Sequence, residues 1–236
     1  MSALRGFDAV VFLTFSDWFR EMRSNRYHFA TRFARHLPVF FIQPDEFGDG
    51  FRWEETSTPN VSVLHVGRNH DLEQLSALNA ALNSRGVRAP LLWVYNFNFV
   101  DFVESRRNTF VVYHATEDYF CDDFFRSPAA TASRERLIRL LRITDLLVSV
   151  SEGVEENYRS RGQYQGRSVV STNGCDFAFW QGPPRPTERP TAIYQGGIHR
   201  KLDFELLSRV VEALPHWDFR FCGEVSGAVS EWKQLI

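Results

Sequence analysis

The segment NGCDFAFWQGPPRPTERPTAIYQGGIHRKLDFEL, residues 173–206, decides how this chain is organised. Its middle, QGPPRPTERP at 181–190, carries four prolines in ten residues. Proline fixes φ and lacks an N–H, so this stretch is neither helix nor central strand and reads as a stiff, exposed connection. After it a pattern restarts: TAIYQGG as strand and turn, KLDFELLSRVVEAL as helix, HWDFRFCGE as strand, then SEWKQLI as the start of another helix. One β-α-β unit of roughly 45 residues cannot bury both faces of a parallel sheet. The second domain, residues 191–236, is therefore expected to be incomplete.

Before the linker the same alternation repeats over residues 1–180. AVVFLTF (9–15) is a continuous apolar run and reads as a strand buried on both faces. Further strands are expected at VFFIQ (39–43), VSVLHV (61–66), LLWVYN (91–96), TFVVYH (109–114), DLLVSVS (145–151) and SVVST (168–172). Helical patterns follow Asn25 and cover 71–84, 98–106, 131–143 and 152–161, with Ser151 as an N-cap and Gly162 as a helix stop. Strands alternating with such helices predict an α/β fold with a parallel sheet and right-handed crossovers.

Composition narrows the function. The 236 residues carry a formal net charge of −2, which gives no global basic excess for nucleic acid. The three cysteines form no C-x-x-C pair, which argues against a zinc cluster or disulfide framework and fits a reducing, cytoplasmic compartment. No apolar run approaches the length of a spanning helix. Most of the 22 Phe are expected in the core.

The order of these pieces resembles the GT-B glycosyltransferases, in particular retaining, nucleotide-sugar-dependent enzymes of polysaccharide biosynthesis. The resemblance rests on Asp145 and Ser151 around a late strand, and on Asn173, Gly174, Asp176 and Phe179 closing the first domain. It rests also on Tyr194, Gly196, Lys201, Asp203, Leu206 and Leu207 opening the second. It implies two Rossmann-like domains: an acceptor domain at 1–180, a Pro-rich linker at 181–190, and the start of a donor domain at 191–236. It also implies hexosyl transfer from a UDP- or GDP-sugar to a glycan or lipid-linked acceptor, with neither cofactor nor metal.

The resemblance implies a diphosphate site at QGGIHRK (195–201). Gly196 and Gly197 let backbone approach a ligand, a helix N-terminus follows, and Arg200 and Lys201 add positive charge. A departing nucleoside diphosphate gains charge as the glycosidic bond breaks, and each fixed donor aimed at it supplies about 3 kcal/mol. The bland alternative is a solvated basic turn. In the first domain, His114 ends a buried strand and, by the resemblance, matches a histidine placed against the donor sugar in a hydrogen-bonding role, with a structural histidine capping the loop as the alternative. Glu117 and Asp118 could touch an acceptor hydroxyl or cap the turn that follows. The first loop, SDWFREMRSNRYH (16–28), has no glycine and offers Arg20, Arg23 and Arg26; Arg26 resembles a phosphate-contacting variant, with solvated arginines as the alternative. Asn173 and Gly174 form the turn at the domain junction. Asp122–Asp123 lacks the spacing of a metal motif, and none is assigned.

Arg134, Arg136, Arg139 and Arg142 beside leucines make a basic amphipathic helix. It either lies on anionic lipid at the inner membrane face or packs with a solvated edge. The residues that read donor base and sugar are expected beyond Ile236, so the chain is expected to be a fragment. Two rivals stay open: a GT-B-like nucleotide-sugar epimerase, and a non-catalytic binding module.

Overall fold

A computed structural model describes residues 4–20, 23–45, 51–67, 72–106, 109–121, 128–183, 186–200, 202–227 and 229–235. Asp122, Asp123 and Lys201 lie outside the described residues. The chain divides into two compact units, Met1–Cys175 and Asp176–Ile236.

The first unit is built on β1 (Ala9–Leu13), α1 (Asn25–Phe33), β2 (Val39–Pro44), β3 (Arg52–Glu55), β4 (Val61–Val66), α2 (Leu72–Ser84) and β5 (Pro90–Val94). A 3-10 turn, Phe97–Phe99, leads into α3 (Val100–Ser105). Then come β6 (Phe110–Ala115), α4 (Pro128–Arg142), β7 (Leu146–Ser149), α5 (Glu152–Ser160) and β8 (Arg167–Val170). The eight strands form one sheet in the order β3-β4-β2-β1-β5-β6-β7-β8. All pairs are parallel except β3–β4, which is antiparallel.

The expected all-parallel sheet is therefore corrected at one edge. β3, RWEE, was not expected because charged residues and a half-exposed pattern conceal a strand of only 4 residues. Its Trp53 packs edge-on against Phe40, and its Glu54 reaches the His65 ring of β4 at 2.9 Å.

The continuous apolar strands bury both faces, as their composition requires. Ala9, Val11 and Leu13 point into a core with residues of α2, α3, α4 and α5. Val10 and Phe12 point into a second core whose helical cover is α1. That second core is aromatic: Phe12 stacks on Phe41, Trp93 and Tyr95 at about 6 Å. Ser24, not Asn25, caps α1 by accepting from Arg26 N–H, and Ser151 caps α5 through Val154 N–H. Gly162 follows α5 but keeps a negative φ, and Gln163 takes the left-handed conformation instead. Glycine is required at 162 for space: a Cβ there would stand 2.5 Å from Tyr158 O and 2.7 Å from the Phe120 ring.

The second unit comprises α6 (Phe177–Trp180), β9 (Thr191–Gln195), α7 (Phe204–Ala213), β10 (Asp218–Cys222) and α8 (Val229–Leu235). β9 and β10 pair in parallel. Tyr194 and Phe221 share one face, where Trp232 of α8 packs on Phe221 at 5.1 Å. On the other face Ile193 is 66% exposed, so the two-strand sheet is covered on one side, as its length predicts.

Candidate functional site

Strand order reverses between β1 and β5, and open α/β sheets bind ligands at the carboxyl ends of strands at such a point. Here Asn96 Nδ2 donates to Thr14 O at 3.4 Å, and Thr14 Oγ1 donates to Ile42 O at 3.2 Å, tying the ends of β1, β2 and β5 together.

The loop from β1 to α1, which lacks glycine, is fixed by an inserted tryptophan. Trp18 is buried against Phe41 and Tyr27, and its backbone N–H donates to the buried Gln43 Oε1 at 2.7 Å. Phe19 lies parallel over His65. The arginines of this loop have separate fates. Arg20 pairs with Asp17 at 3.8 Å, Arg23 lies over Tyr27, and Arg26 is stacked at 4.9 Å from the Phe15 ring centre and 5.5 Å from that of Tyr95. Arg26 thus stands at the switch point, close enough for its charge to act on His114 and Tyr119.

His114 is the penultimate residue of β6, on the α1 side of the sheet, and is 1% exposed. Tyr95 stacks on its ring at 4.9 Å and Phe29 meets it edge-on at 5.2 Å. Trp93 Nε1–H donates to His114 Nδ1 at 3.2 Å. Nδ1 is therefore the acceptor, and the proton of the neutral ring sits on Nε2. Nε2 is buried without a hydrogen-bond partner. Burial, followed by the charge of Arg26, lowers the His114 pKa to about 3. The ring is thus neutral at ordinary pH: a fixed hydrogen-bond donor rather than a proton shuttle.

This donor lines a cavity of about 190 Å³ within the first unit, with Asn25, His28, Phe29 and Arg32 of α1 and residues 171–175 beyond β8. Asn173 and Gly174 are among those lining residues, so the structure brings them together with His114. Asn25 Nδ2 donates to Asn173 Oδ1 at 3.2 Å, and Asn25 Oδ1 is buried and unpartnered. Arg32 Nη1 donates to His28 O at 3.1 Å and lies 3.2 Å from His28 Nδ1.

Glu117 and Asp118 are not in this cavity. The Glu117 side chain is exposed, and its carbonyl accepts from Tyr158 Oη–H at 3.2 Å. Asp118 Oδ1 accepts from Phe120 N–H at 3.1 Å and Oδ2 accepts from Asn157 Nδ2 at 2.6 Å. Oδ1 caps the turn that follows, and Oδ2 ties that turn to α5.

In the second unit the Gly196–Gly197 turn follows β9. Gly196 has φ +154°, and its carbonyl lies so close to Gly223 that a Cβ on residue 223 would overlap it. Tyr194 Oη–H donates to Gly197 O at 3.0 Å, and Arg200 is exposed with its Nε donating to Gly227 O at 2.5 Å. Asp203 caps α7, accepting from Leu206 N–H at 2.9 Å. A carboxylate already answers that helix N-terminus, so an anion at this turn would meet loop N–H groups and Arg200 instead.

Sequence reading missed Trp93, Asn25 and Arg32. Trp93 left one signal: a tryptophan inside a strand buried on both faces must find an acceptor for its N–H. Asn25 and Arg32 left none, because their partners lie across the fold or belong to an ordinary amphipathic helix.

No protein-family model matches this chain, and no curated protein matches it. Solved structures do. A sucrose-phosphate synthase from Thermosynechococcus elongatus aligns with a TM-score of 0.68 at 12% identity, over 97% of this chain and 65% of that one. An alpha,alpha-trehalose-phosphate synthase (UDP-forming) from Burkholderia vietnamiensis aligns at 0.52 with 12% identity, over 96% and 66%. A structure described as a UDP-N-acetylglucosamine 2-epimerase from Listeria monocytogenes aligns at 0.55 with 10% identity, over 95% and 65%. The chain has the GT-B fold. It spans about two thirds of the length of these structures.

Proposed function

We propose that this protein is a glycosyltransferase that moves a sugar from a UDP- or GDP-sugar to a glycan or lipid-linked acceptor, with retention. The observation that carries the reading is the His114 Nε2–H. It is a buried, unpartnered donor in a cavity at the carboxyl edge of a GT-B sheet. Leaving a buried donor unsatisfied costs about 1–3 kcal/mol, and a ligand hydroxyl recovers that cost. His114 holds the sugar and exchanges no proton. The Gly196–Gly197 turn and Arg200 receive the diphosphate, with Lys201 assigned there from sequence alone. Arg26 adds positive charge at the switch point, and Asn173–Gly174 close the sugar cavity. Structural neighbours that include UDP-forming synthases support a nucleotide-sugar donor.

In this reading residues 1–180 form the acceptor domain, 181–190 the linker and 191 onward the donor domain, although residues 176–180 group with the second compact unit. The same reading puts the protein in polysaccharide biosynthesis and in the cytoplasm; three exposed, unbridged cysteines fit a reducing compartment. Among the described residues no helix is long and apolar enough to cross a membrane. Peripheral contact through α4 draws little support, because Arg139 binds Asp101 and Glu104 and Arg136 binds Asn98.

An epimerase is the second reading, favoured by the Listeria structure. It needs an acid–base pair, whereas His114 is held neutral and Asp118 is committed to its turn. Calorimetry with a panel of UDP-, GDP- and ADP-sugars tests the proposal. Binding of one nucleotide class, weakened about tenfold or more in Arg200→Ala, is expected. Absence of binding to every member of the panel overturns it.

A further inference from the structure

The cavity around His114 presents more than one unmet group. His114 Nε2 is a donor without an acceptor, and Asn25 Oδ1 is an acceptor without a donor. A hydroxyl can satisfy either, because it both donates and accepts, and adjacent hydroxyls can satisfy the two together. Phe29 adds an apolar ring to the same wall, suited to the C–H face of a sugar. The charge of the lining is one-sided. Arg32 and His28 line the cavity, and no Asp or Glu does among the described residues. Arg32 is exposed and donates through Nη1 to His28 O one turn back on α1, a contact that uses one of its nitrogens.

We propose that this cavity selects a hexose carrying a negatively charged substituent, a phosphate or a carboxylate. The hydroxyls meet His114 and Asn25, and the charge meets Arg32. This inference rests on reading the cavity as a sugar site and adds the class of sugar it prefers. The charge-assisted bond from a planar guanidinium would set the preference, because a neutral hexose offers Arg32 no charged partner.

Binding of glucose, glucose 6-phosphate, glucuronate and inorganic phosphate to the full chain is measured by calorimetry, with the His114 ring followed by NMR. Glucose 6-phosphate or glucuronate is expected to bind at least about tenfold tighter than glucose, and whichever does identifies the phosphate or the carboxylate as the charge. Arg32→Gln should erase that preference while glucose still perturbs His114, and Arg32→Lys should restore part of it. Glucose binding as tightly as both anionic sugars, or an unchanged preference in Arg32→Gln, overturns the charge assignment and leaves the sugar site standing. Inorganic phosphate binding as tightly as glucose 6-phosphate removes the role of the hydroxyls. If none of the sugars perturbs His114 in the folded chain, the sugar reading itself falls, and this inference with it.

Discussion

Trp93 Nε1–H fixes the proton of His114 on the far nitrogen, so a residue placed for packing also decides that the cavity is met by a donor. The same enclosure has a measurable pH signature. His114 is lowered to about 3 in the folded chain, against an ordinary value near 6.5 when unfolded. Between those values the unfolded state binds a proton that the native state refuses. Stability from this residue is therefore present above about pH 6.5 and is lost as pH falls toward 3. Urea unfolding at pH 7 and pH 4.5 should show a loss on the order of 2 kcal/mol that is largely absent in His114→Gln. An equal acid sensitivity in the variant would place the effect elsewhere. The burial of His114 was legible in the sequence, since it lies at the end of a buried strand. Its tautomer was not, because that depends on a neighbour 21 positions away. Asp118 was legible as a turn former; that it also reaches Asn157 of α5 was not, because that partner lies 39 positions away.

Among the elements, the central strands were readable because unbroken runs such as AVVFL have one physical use, burial on both faces. β3 was not, since its pairing with β4 and not its own composition makes it a strand. Gly162 illustrates a different limit. A glycine after a helix reads as a left-handed stop, yet here it is kept by the Phe120 ring and Tyr158 O pressed against its Cα. Gly162→Ala should therefore destabilise the first unit by about 1–3 kcal/mol, from overpacking against backbone and ring. Denaturant midpoints check this. If φ preference governed the site instead, the alanine would be tolerated, because φ at 162 is already negative.

Across the whole molecule, burial is distributed unevenly. The first unit holds two cores, while among the described residues of the second unit Ile198 is the one buried hydrophobic side chain. Opening free energy follows buried apolar contact, so amides of β9, β10 and α7 should exchange with deuterium far faster than those of β1, β2 and β5. Equal protection in both would contradict this. Four prolines put the expected linker at 181–190, whereas the division into units falls after Cys175, and the uneven burial depends on which faces find cover. The Asn25–Asn173 hydrogen bond joins residues 148 positions apart, spanning almost all of the first unit. It lies just beyond β8, the last strand of that sheet in sequence. A chain ending before residue 160 lacks residues 171–175 of the cavity lining, so ligand capture would require the whole of this unit. By mass action a bound ligand then stabilises that completed state alone.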